Sequence, residues 1–227
     1  MPAPPRWSAL PRFERGGLAL FAAAAATTAL LGDHRLGASL LLDPARTFAA
    51  GEAWRVLSAP FVFPEGRAGG LLLTLGVQWF LGGPVERSLG TRRYLAWTLG
   101  AAVFGYAILA ALGLAGLVPP GPARFGGMLP ADLAVATTFG LRLAHVRLSW
   151  MGVLPVGART LAGAVVGLAL ASEALSGAPL VGLVPPVVAV AVAFARFGPR
   201  PPFSRRAGRR RRANHLRVVP PDDVTLH

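Results

Sequence analysis

Long apolar runs, separated by charged or glycine- and proline-rich segments, dominate the pattern along the chain. A bilayer core of about 30 Å needs about 20 apolar residues in helical form, and the backbone has to satisfy its hydrogen bonds within each segment. The pattern predicts six membrane-spanning helices: Gly16–Leu31, Ala68–Val85, Tyr94–Val118, Phe125–Leu141, Trp150–Ala171 and Ala178–Ala195. Prolines interrupt the fourth run (Pro130) and the sixth (Pro185, Pro186), which favours helices that pack against one another.

The chain therefore divides into three parts. Residues 1–15 are predicted to be a short tail, residues 16–195 an all-α multi-pass membrane domain, and residues 196–227 a basic, disordered tail. Arginines concentrate in both tails and in the loops after the second and fourth runs, so both termini are predicted to be cytosolic. If the source is a bacterium, the membrane is the plasma (inner) membrane. The alternative, a cleaved signal peptide at the first run, is disfavoured by the five later runs.

Composition narrows the class further. The chain has 227 residues, of which 53% are hydrophobic and 15% charged, whereas a soluble domain has about 25% charged residues. It contains no cysteine, which excludes a disulfide scaffold and a cysteine–zinc site. All basic residues are arginine, so a Schiff-base lysine and a P-loop lysine are excluded as well. A polytopic membrane protein with a net charge of +13 remains.

The first loop, residues 32–67, is not simply polar. Trp54, Phe61 and Phe63 are of the kind that lies at headgroup level in a membrane interface. We therefore expect the loop to be partly embedded; the alternative is an ordinary loop outside the membrane.

Glu86 ends the second apolar run, next to Arg87, Arg92 and Arg93. A carboxylate there can pair with an arginine and fix the end of a helix. The alternative is a solvated charge cluster that stabilises little. We favour the structural pairing, because Glu86 closes a membrane helix.

Two segments stand out together: Trp54 with Arg55 in the first loop, and Gly83, Glu86 and Gly90 at the close of the second run. This pairing resembles the rhomboid family of intramembrane proteins. The first loop has the family's Trp-Arg motif at Trp54 and Arg55, and the second run closes on a Gly-x-x-Glu-x-x-x-Gly stretch. The matched residues of that stretch are Gly83, Glu86 and Gly90. The resemblance covers about residues 10 to 198 and implies a six-helix rhomboid-like bundle.

An active rhomboid cleaves peptide bonds with a serine and a histidine. When this chain is aligned on the motifs above, other residues stand at both of these positions. Gly127 and Gly182 match family glycines, but Leu129 takes the position of the serine and Pro179 that of the histidine. Leucine has no nucleophile and proline no base. Two further positions, those of the oxyanion-binding histidine and asparagine, are filled by residues without that chemistry: Gly70 and Thr74. The resemblance therefore implies an inactive member, a pseudoprotease similar in that respect to the derlins.

Other chemistry is poorly supported. Asp132 lies within the fourth run, and an ionisable group in a membrane span is a functional candidate. We favour a simpler interpretation, in which it lies near the surface or caps the helix that restarts after Pro130. Glu173 is expected at the interface and His145 in a loop. No spacing of histidines and carboxylates suits a metal, and no cofactor is expected.

Three functions compete. The first is a non-proteolytic binder of transmembrane clients, and the second is a protease with a divergent nucleophile, either Thr74 or Ser176. The third is a membrane anchor whose basic tail binds anionic headgroups or a partner. The tail residues expected to make such contacts are Arg205, Arg206, Arg209, Arg210, Arg211 and Arg212. Nucleic acid ranks below lipid for this tail, because no aromatic residues are interleaved with the arginines and no nucleic-acid-binding motif accompanies them.

Overall fold

The computed structural model describes residues 13–31, 35–64, 67, 69–118, 124–150, 154–176 and 179–199. Over these ranges the chain is mainly helical. The α-helices are α1 (Arg15–Leu31), α2 (Arg35–Leu40), α3 (Trp54–Ser58), α4 (Gly69–Val77), α5 (Gly83–Leu89), α6 (Thr91–Leu114), α7 (Leu129–Arg142), α8 (Ala158–Leu175) and α9 (Val184–Phe197). A π-helical segment (Gln78–Gly82) joins α4 to α5, 3₁₀ turns span Ala59–Phe61 and Leu180–Leu183, and the strands are β1 (Arg147–Trp150) and β2 (Leu154–Gly157).

Three of the described helical stretches are long and apolar enough to cross a membrane: Thr91–Leu114, Ala158–Leu175 and Leu180–Phe197. This supports an all-α membrane protein. The number of helices that are long and apolar enough is three, however, and not the six that were predicted. The first predicted span is a 17-residue helix, the second is divided into α4, the π segment and α5, and the fourth is only 14 residues long.

The prolines that we expected to interrupt spans mark the starts of helices instead. Pro130 is the second residue of α7, and Pro185 and Pro186 follow the first residue of α9. The first turn of a helix has no internal acceptor for its N–H groups, so the missing N–H of proline costs nothing there. Pro185 and Pro186 nevertheless lie within the helical stretch Leu180–Phe197, where the 3₁₀ turn passes into α9. The packing of α7 and α9 against each other, which the prolines led us to expect, is present.

The predicted fifth span also begins differently. The strands β1 and β2 pair antiparallel, with Arg147 opposite Gly157, and α8 starts only at Ala158. Arg159 consequently lies in the first turn of α8, at the end of that helix, and is exposed. The sequence analysis did not predict any strand.

The first loop folds back on the bundle. Leu42 forms a β-bridge with Phe125, in the segment before α7. The side chain of Trp54 is half exposed, whereas Phe63 is buried in the main hydrophobic cluster. The prediction that Phe63 lies at the membrane interface was therefore wrong.

Helix α7 lies at the centre of the bundle. It packs against α4, the π segment, α6, α8 and α9, and its residues 130–140 are all buried. Since small side chains allow membrane helices to approach closely, the alanines and glycine of α7 suit a helix surrounded on all sides. Any polar group on α7 therefore has to find its partners inside the protein.

Candidate functional site

Asp132 lies in the first turn of α7 and its side chain is fully buried. It neither reaches the surface nor caps the helix, because Met128 occupies the N-cap position without a side-chain hydrogen bond. Our preferred sequence interpretation of this residue was therefore wrong. A buried carboxylate requires hydrogen-bond donors from the surrounding helices.

Side chains of the second predicted span supply these donors. The Thr74 hydroxyl donates to Asp132 Oδ2 at 2.6 Å, and Gln78 Nε2 donates to Oδ1 at 2.9 Å. The Tyr94 hydroxyl, from α6, donates in turn to Gln78 Oε1. These four residues, which we call the Asp132 cluster, are all fully buried. They link α4, the π segment, α6 and α7 through polar contacts that depend on one another.

Local sequence explains why the cluster forms. Thr74 and Gln78 are four residues apart and so lie on one face of the helical run. Two glycines leave room for the amide of Gln78. A Cβ atom on Gly82 would lie 3.1 Å from Gln78 Oε1 and 2.9 Å from the Tyr94 hydroxyl, and one on Gly17 would lie 3.4 Å from Gln78 Oε1.

The π segment begins at Gln78 itself. Single π turns within α-helices are frequent at functional sites, where they turn side chains out of the regular helical register. Here Gln78 and Leu81 point inward, while Trp79 and Phe80 are substantially exposed. The irregular helix is therefore located where its polar side chain meets Asp132.

Phe63 fills the space beside two of the family positions. A Cβ atom on Gly70 would collide with the Phe63 ring, and one on Gly127 would lie 2.9 Å from it. Gly127 also has φ of 103°, in the left-handed region that favours glycine. Its N–H donates to the Ala59 carbonyl at 2.8 Å, and its carbonyl accepts from the Tyr106 hydroxyl at 2.9 Å. This corner of the bundle is packed and hydrogen-bonded.

Leu129 and Pro179, which stand where rhomboids have the serine and the histidine, are not part of the Asp132 cluster. Leu129 is the half-buried first residue of α7, and Pro179 is exposed just before a 3₁₀ turn. Of the four vacated positions, the structure brings only Thr74 into contact with a carboxylate. Ser176, the other suggested nucleophile, is exposed and donates to the Glu173 carbonyl at 2.7 Å.

The Trp-Arg motif organises the first loop. The Arg55 guanidinium donates to the carbonyls of Ala38 and Leu41 at 3.0 and 2.8 Å, and its Nε donates to Glu52 at 2.6 Å. Arg55 is almost fully buried. It therefore fixes α3 against α2 from inside the protein.

Glu86 fixes a helix end, but by another route than the predicted arginine pairing. Its carboxylate accepts from the backbone N–H groups of Gly16 and Gly17 at 2.9 and 3.0 Å, and from the Thr91 hydroxyl at 2.7 Å. It thus satisfies the free N–H groups at the start of α1, where a negative charge also matches the helix dipole. Arg87 pairs instead with Glu14 at 2.8 Å.

The other predicted residues are distributed as follows. Gly83 is the first residue of α5, and Gly90, with φ of 81°, separates α5 from α6. Gly182 packs against the Phe125 ring, and His145 is exposed. The six arginines named between 205 and 212 lie outside the described residues.

Sequence reasoning missed Gln78 and Tyr94. A signal was present, since a threonine and a glutamine four residues apart inside an apolar run predict a polar face that needs a partner.

Within the described ranges, no group of three or more histidines, aspartates and glutamates is close enough to hold a metal ion. No protein-family model and no curated protein matches the chain.

Proposed function

We propose that this chain is a rhomboid-like membrane protein that binds transmembrane segments of client proteins without cleaving them. In this proposal six helical units cross or enter the membrane: α1, the α4–π–α5 run, α6, α7, α8 and α9. The short central α7 is compatible with this arrangement, because protein surrounds it and it does not have to match the full thickness of the bilayer. The motifs at Trp54–Arg55 and Gly83–Glu86–Gly90 support the family assignment.

One observation carries the non-proteolytic part of the proposal. The positions of the family nucleophile and base hold Leu129 and Pro179, neither of which can exchange a proton. The Asp132 cluster does not replace them, since Asp132 and Thr74 are fully buried. Phe63 packs where a side chain at Gly70 would have to lie. A client helix would therefore meet a closed, non-reactive surface.

Photo-crosslinking tests client binding. A photoreactive amino acid at Leu129 of the full chain is expected to capture membrane proteins, whereas the same probe at Leu175, which is 85% exposed at the far end of α8, should capture lipid and few proteins. If both positions capture the same set of proteins, or if neither captures any, the proposal of a client site is contradicted.

A second candidate, a protease with a divergent site, is favoured by one contact. The Thr74 hydroxyl lies 2.6 Å from Asp132 Oδ2, an arrangement in which a carboxylate could accept a proton from a nucleophile. A transmembrane reporter tests it with Thr74→Ser and Thr74→Val, and with Ser176→Ala as the control at the alternative nucleophile. Cleavage retained by the serine variant and lost in the valine variant would establish the protease. Absence of cleavage by the wild type would exclude it for that substrate.

Orientation belongs to the same proposal. The bundle end where α1, α6 and α8 begin and α5, α7 and α9 end is rich in exposed arginines: Arg15, Arg87, Arg92, Arg93, Arg142, Arg159 and Arg196. At the opposite end, Arg55 pairs with Glu52 and Arg67 with Glu173, each at 2.6 Å. We assign the arginine-rich end to the cytosol by the positive-inside rule.

The absence of cysteine makes this orientation simple to test. A cysteine introduced at His145 should react with an impermeant maleimide only after the cells are opened, and one at Ala50 should react from outside. The reverse pattern would contradict the assignment.

A further inference from the structure

The proposed function leaves a groove between α6 and α9 unexplained. Its volume is about 410 Å³, within the range of about 300–1,000 Å³ that small-molecule sites occupy. The lining residues are Ala96, Trp97, Gly100, Ala101, Phe104 and Val192. None of them is charged, so the groove suits a hydrocarbon ligand.

Small residues keep the groove open. No heavy atom lies within 4 Å of where a Cβ atom of Gly100 would be, and Ala96 one turn earlier is exposed. The indole N–H of Trp97 donates to the Thr138 hydroxyl at 3.1 Å. Because this polar atom is already bonded, Trp97 offers mainly its ring carbons to a ligand.

One end of the groove is basic. Arg92, Ala96, Gly100 and Phe104 follow one another at intervals of four residues, so Arg92 continues the groove face of α6 toward the arginine-rich end. On α9, Arg196 stands one turn beyond Val192 in the same way.

The Phe197 ring holds two arginines at the basic end of the groove. The guanidinium carbons of Arg142 and Arg196 lie 5.4 and 5.8 Å from the centroid of the Phe197 ring. The same ring meets Trp97, which lines the groove, edge to face at 4.9 Å. Two guanidinium groups are thus held beside the point where the groove reaches the arginine-rich end.

We propose that the groove binds one anionic phospholipid, with an acyl chain along Gly100 and Phe104 and the phosphate at Arg92, Arg142 and Arg196. Basic pockets between membrane helices suit such headgroups, and an arginine fork binds phosphate oxygens in pairs. Among the described acidic residues at this end, Glu14 pairs with Arg87 and Glu86 is buried against α1, so neither offsets the charge at the groove. The proposal does not depend on client binding or on the lack of catalysis.

Charge complementarity favours a lipid over a client helix as the occupant. A zwitterionic lipid carries a phosphate as well, but its own ammonium group offsets that charge. An anionic headgroup keeps its net negative charge and so adds attraction of about fivefold in affinity for each arginine near the surface. A captured protein helix in place of lipid would contradict the proposal.

Native mass spectrometry of the full chain tests the proposal. Protein is taken from nanodiscs of phosphatidylglycerol or of phosphatidylcholine into mild detergent, and the lipids that remain bound are counted. We expect the wild type to retain one more phosphatidylglycerol than phosphatidylcholine. Arg92→Gln with Arg196→Gln should reduce this retention at least tenfold, and Gly100→Leu should abolish it by filling the groove.

Matched controls exist for both changes. Arg15→Gln with Arg159→Gln removes two exposed charges at the same end of the bundle but away from the groove. Gly163→Leu places the same side chain on α8, at a glycine that also has open space around it. Both controls should retain the lipid. The basic segment of residues 205–212 is present in every variant and adds the same background.

Three outcomes would overturn the proposal: equal retention of both lipids by the wild type, equal retention by all variants, and a loss that follows the arginines but not Gly100→Leu. If Gly100→Leu does not fold, a photoactivatable acyl chain on phosphatidylglycerol decides the matter on the wild type. Crosslinks at Gly100, Phe104 or Val192 support the groove, and crosslinks confined to α8 contradict it.

Discussion

Among the described residues two carboxylates are buried, Glu86 and Asp132, and each obtains its hydrogen-bond donors in a different way. Glu86 lies at a helix end and takes its donors mainly from the backbone of α1, at Gly16 and Gly17. Asp132 lies inside the bundle and takes its donors from the side chains of Thr74 and Gln78. A backbone donor is present whatever the residue, whereas a side-chain donor has to be specified by sequence.

The difference lies in what would replace each carboxylate. Arg87, the next residue in the chain, and Thr91, whose hydroxyl donates to Glu86, are both exposed, so solvent can reach the start of α1 when its acceptor is lost. Gln78 is fully buried, and it would be left without an acceptor and without water. An unsatisfied buried donor costs more than one that water can reach. The burial of the donors, more than the number of hydrogen bonds, therefore decides how much stability is lost when each carboxylate is removed.

The largest effect is expected at Asp132. Asp132→Ala leaves the donors of Thr74 and Gln78 unsatisfied and should lower the free energy of unfolding by about 3 kcal/mol. Chemical denaturation of the full chain in mixed micelles measures this. Asp132→Asn, which keeps the shape and one acceptor oxygen, should lose about half as much. If the alanine variant is as stable as the wild type, the cluster does not hold the bundle together.

Glu86→Ala should have the second largest effect and lower the free energy of unfolding by about 2 kcal/mol. The backbone N–H groups of α1 lose their carboxylate acceptor, but water partly replaces it. Hydrogen exchange should become faster at the amides of Gly16 and Gly17 and stay unchanged in the centre of α6. The control is Glu14→Ala, which removes only the exposed pair with Arg87 and should cost less than about 0.5 kcal/mol. Equal costs for the two glutamates would contradict the role given to Glu86.

A smaller effect is expected at Gly16, which separates Glu86 from Tyr94. A Cβ atom there would lie 2.9 Å from Glu86 Oε2 and 2.9 Å from Tyr94 Cδ1, so Gly16→Ala should destabilise by about 1.5 kcal/mol through overpacking. Gly76, in α4, has open space around it, and Gly76→Ala should stabilise by about 0.5–1 kcal/mol through helix propensity. The melting temperatures of the two variants should therefore move in opposite directions. A shift of both in the same direction would refute the close packing around Gly16.

Apolar patterning predicted the extent of α1 closely and the starts of α7 and α8 less well. The run from Gly16 to Leu31 differs from α1 by one residue, because charge and loop composition bound it clearly. Pro130 was read as an interruption although it begins α7, since a proline in the first turn and a proline inside a helix look alike in sequence. Whether a proline begins a helix or interrupts it depends on the tertiary structure around it and not on the composition of the run.

The candidate site was predicted only in outline. The sequence identified Glu86 and Asp132 as unusual carboxylates, but a run of apolar letters does not say which of its faces meets another helix. The contact of Thr74 and Gln78 with Asp132 joins residues more than 50 positions apart. The packing of Phe63 against Gly70 and Gly127 depends likewise on how the first loop returns to the bundle. Such long-range pairings require the folded chain.

The π segment has a consequence for how the length of this chain can vary. A π turn holds one residue more than the α-helix that would replace it. Deleting Phe80, which is exposed in this segment, would let the run close as an ordinary α-helix while Thr74 and Glu86 keep their facing. A deletion within α6 would instead rotate every later side chain by about 100°. A deletion of one residue should thus be tolerated at Gln78–Gly82 better than within a regular helix such as α6.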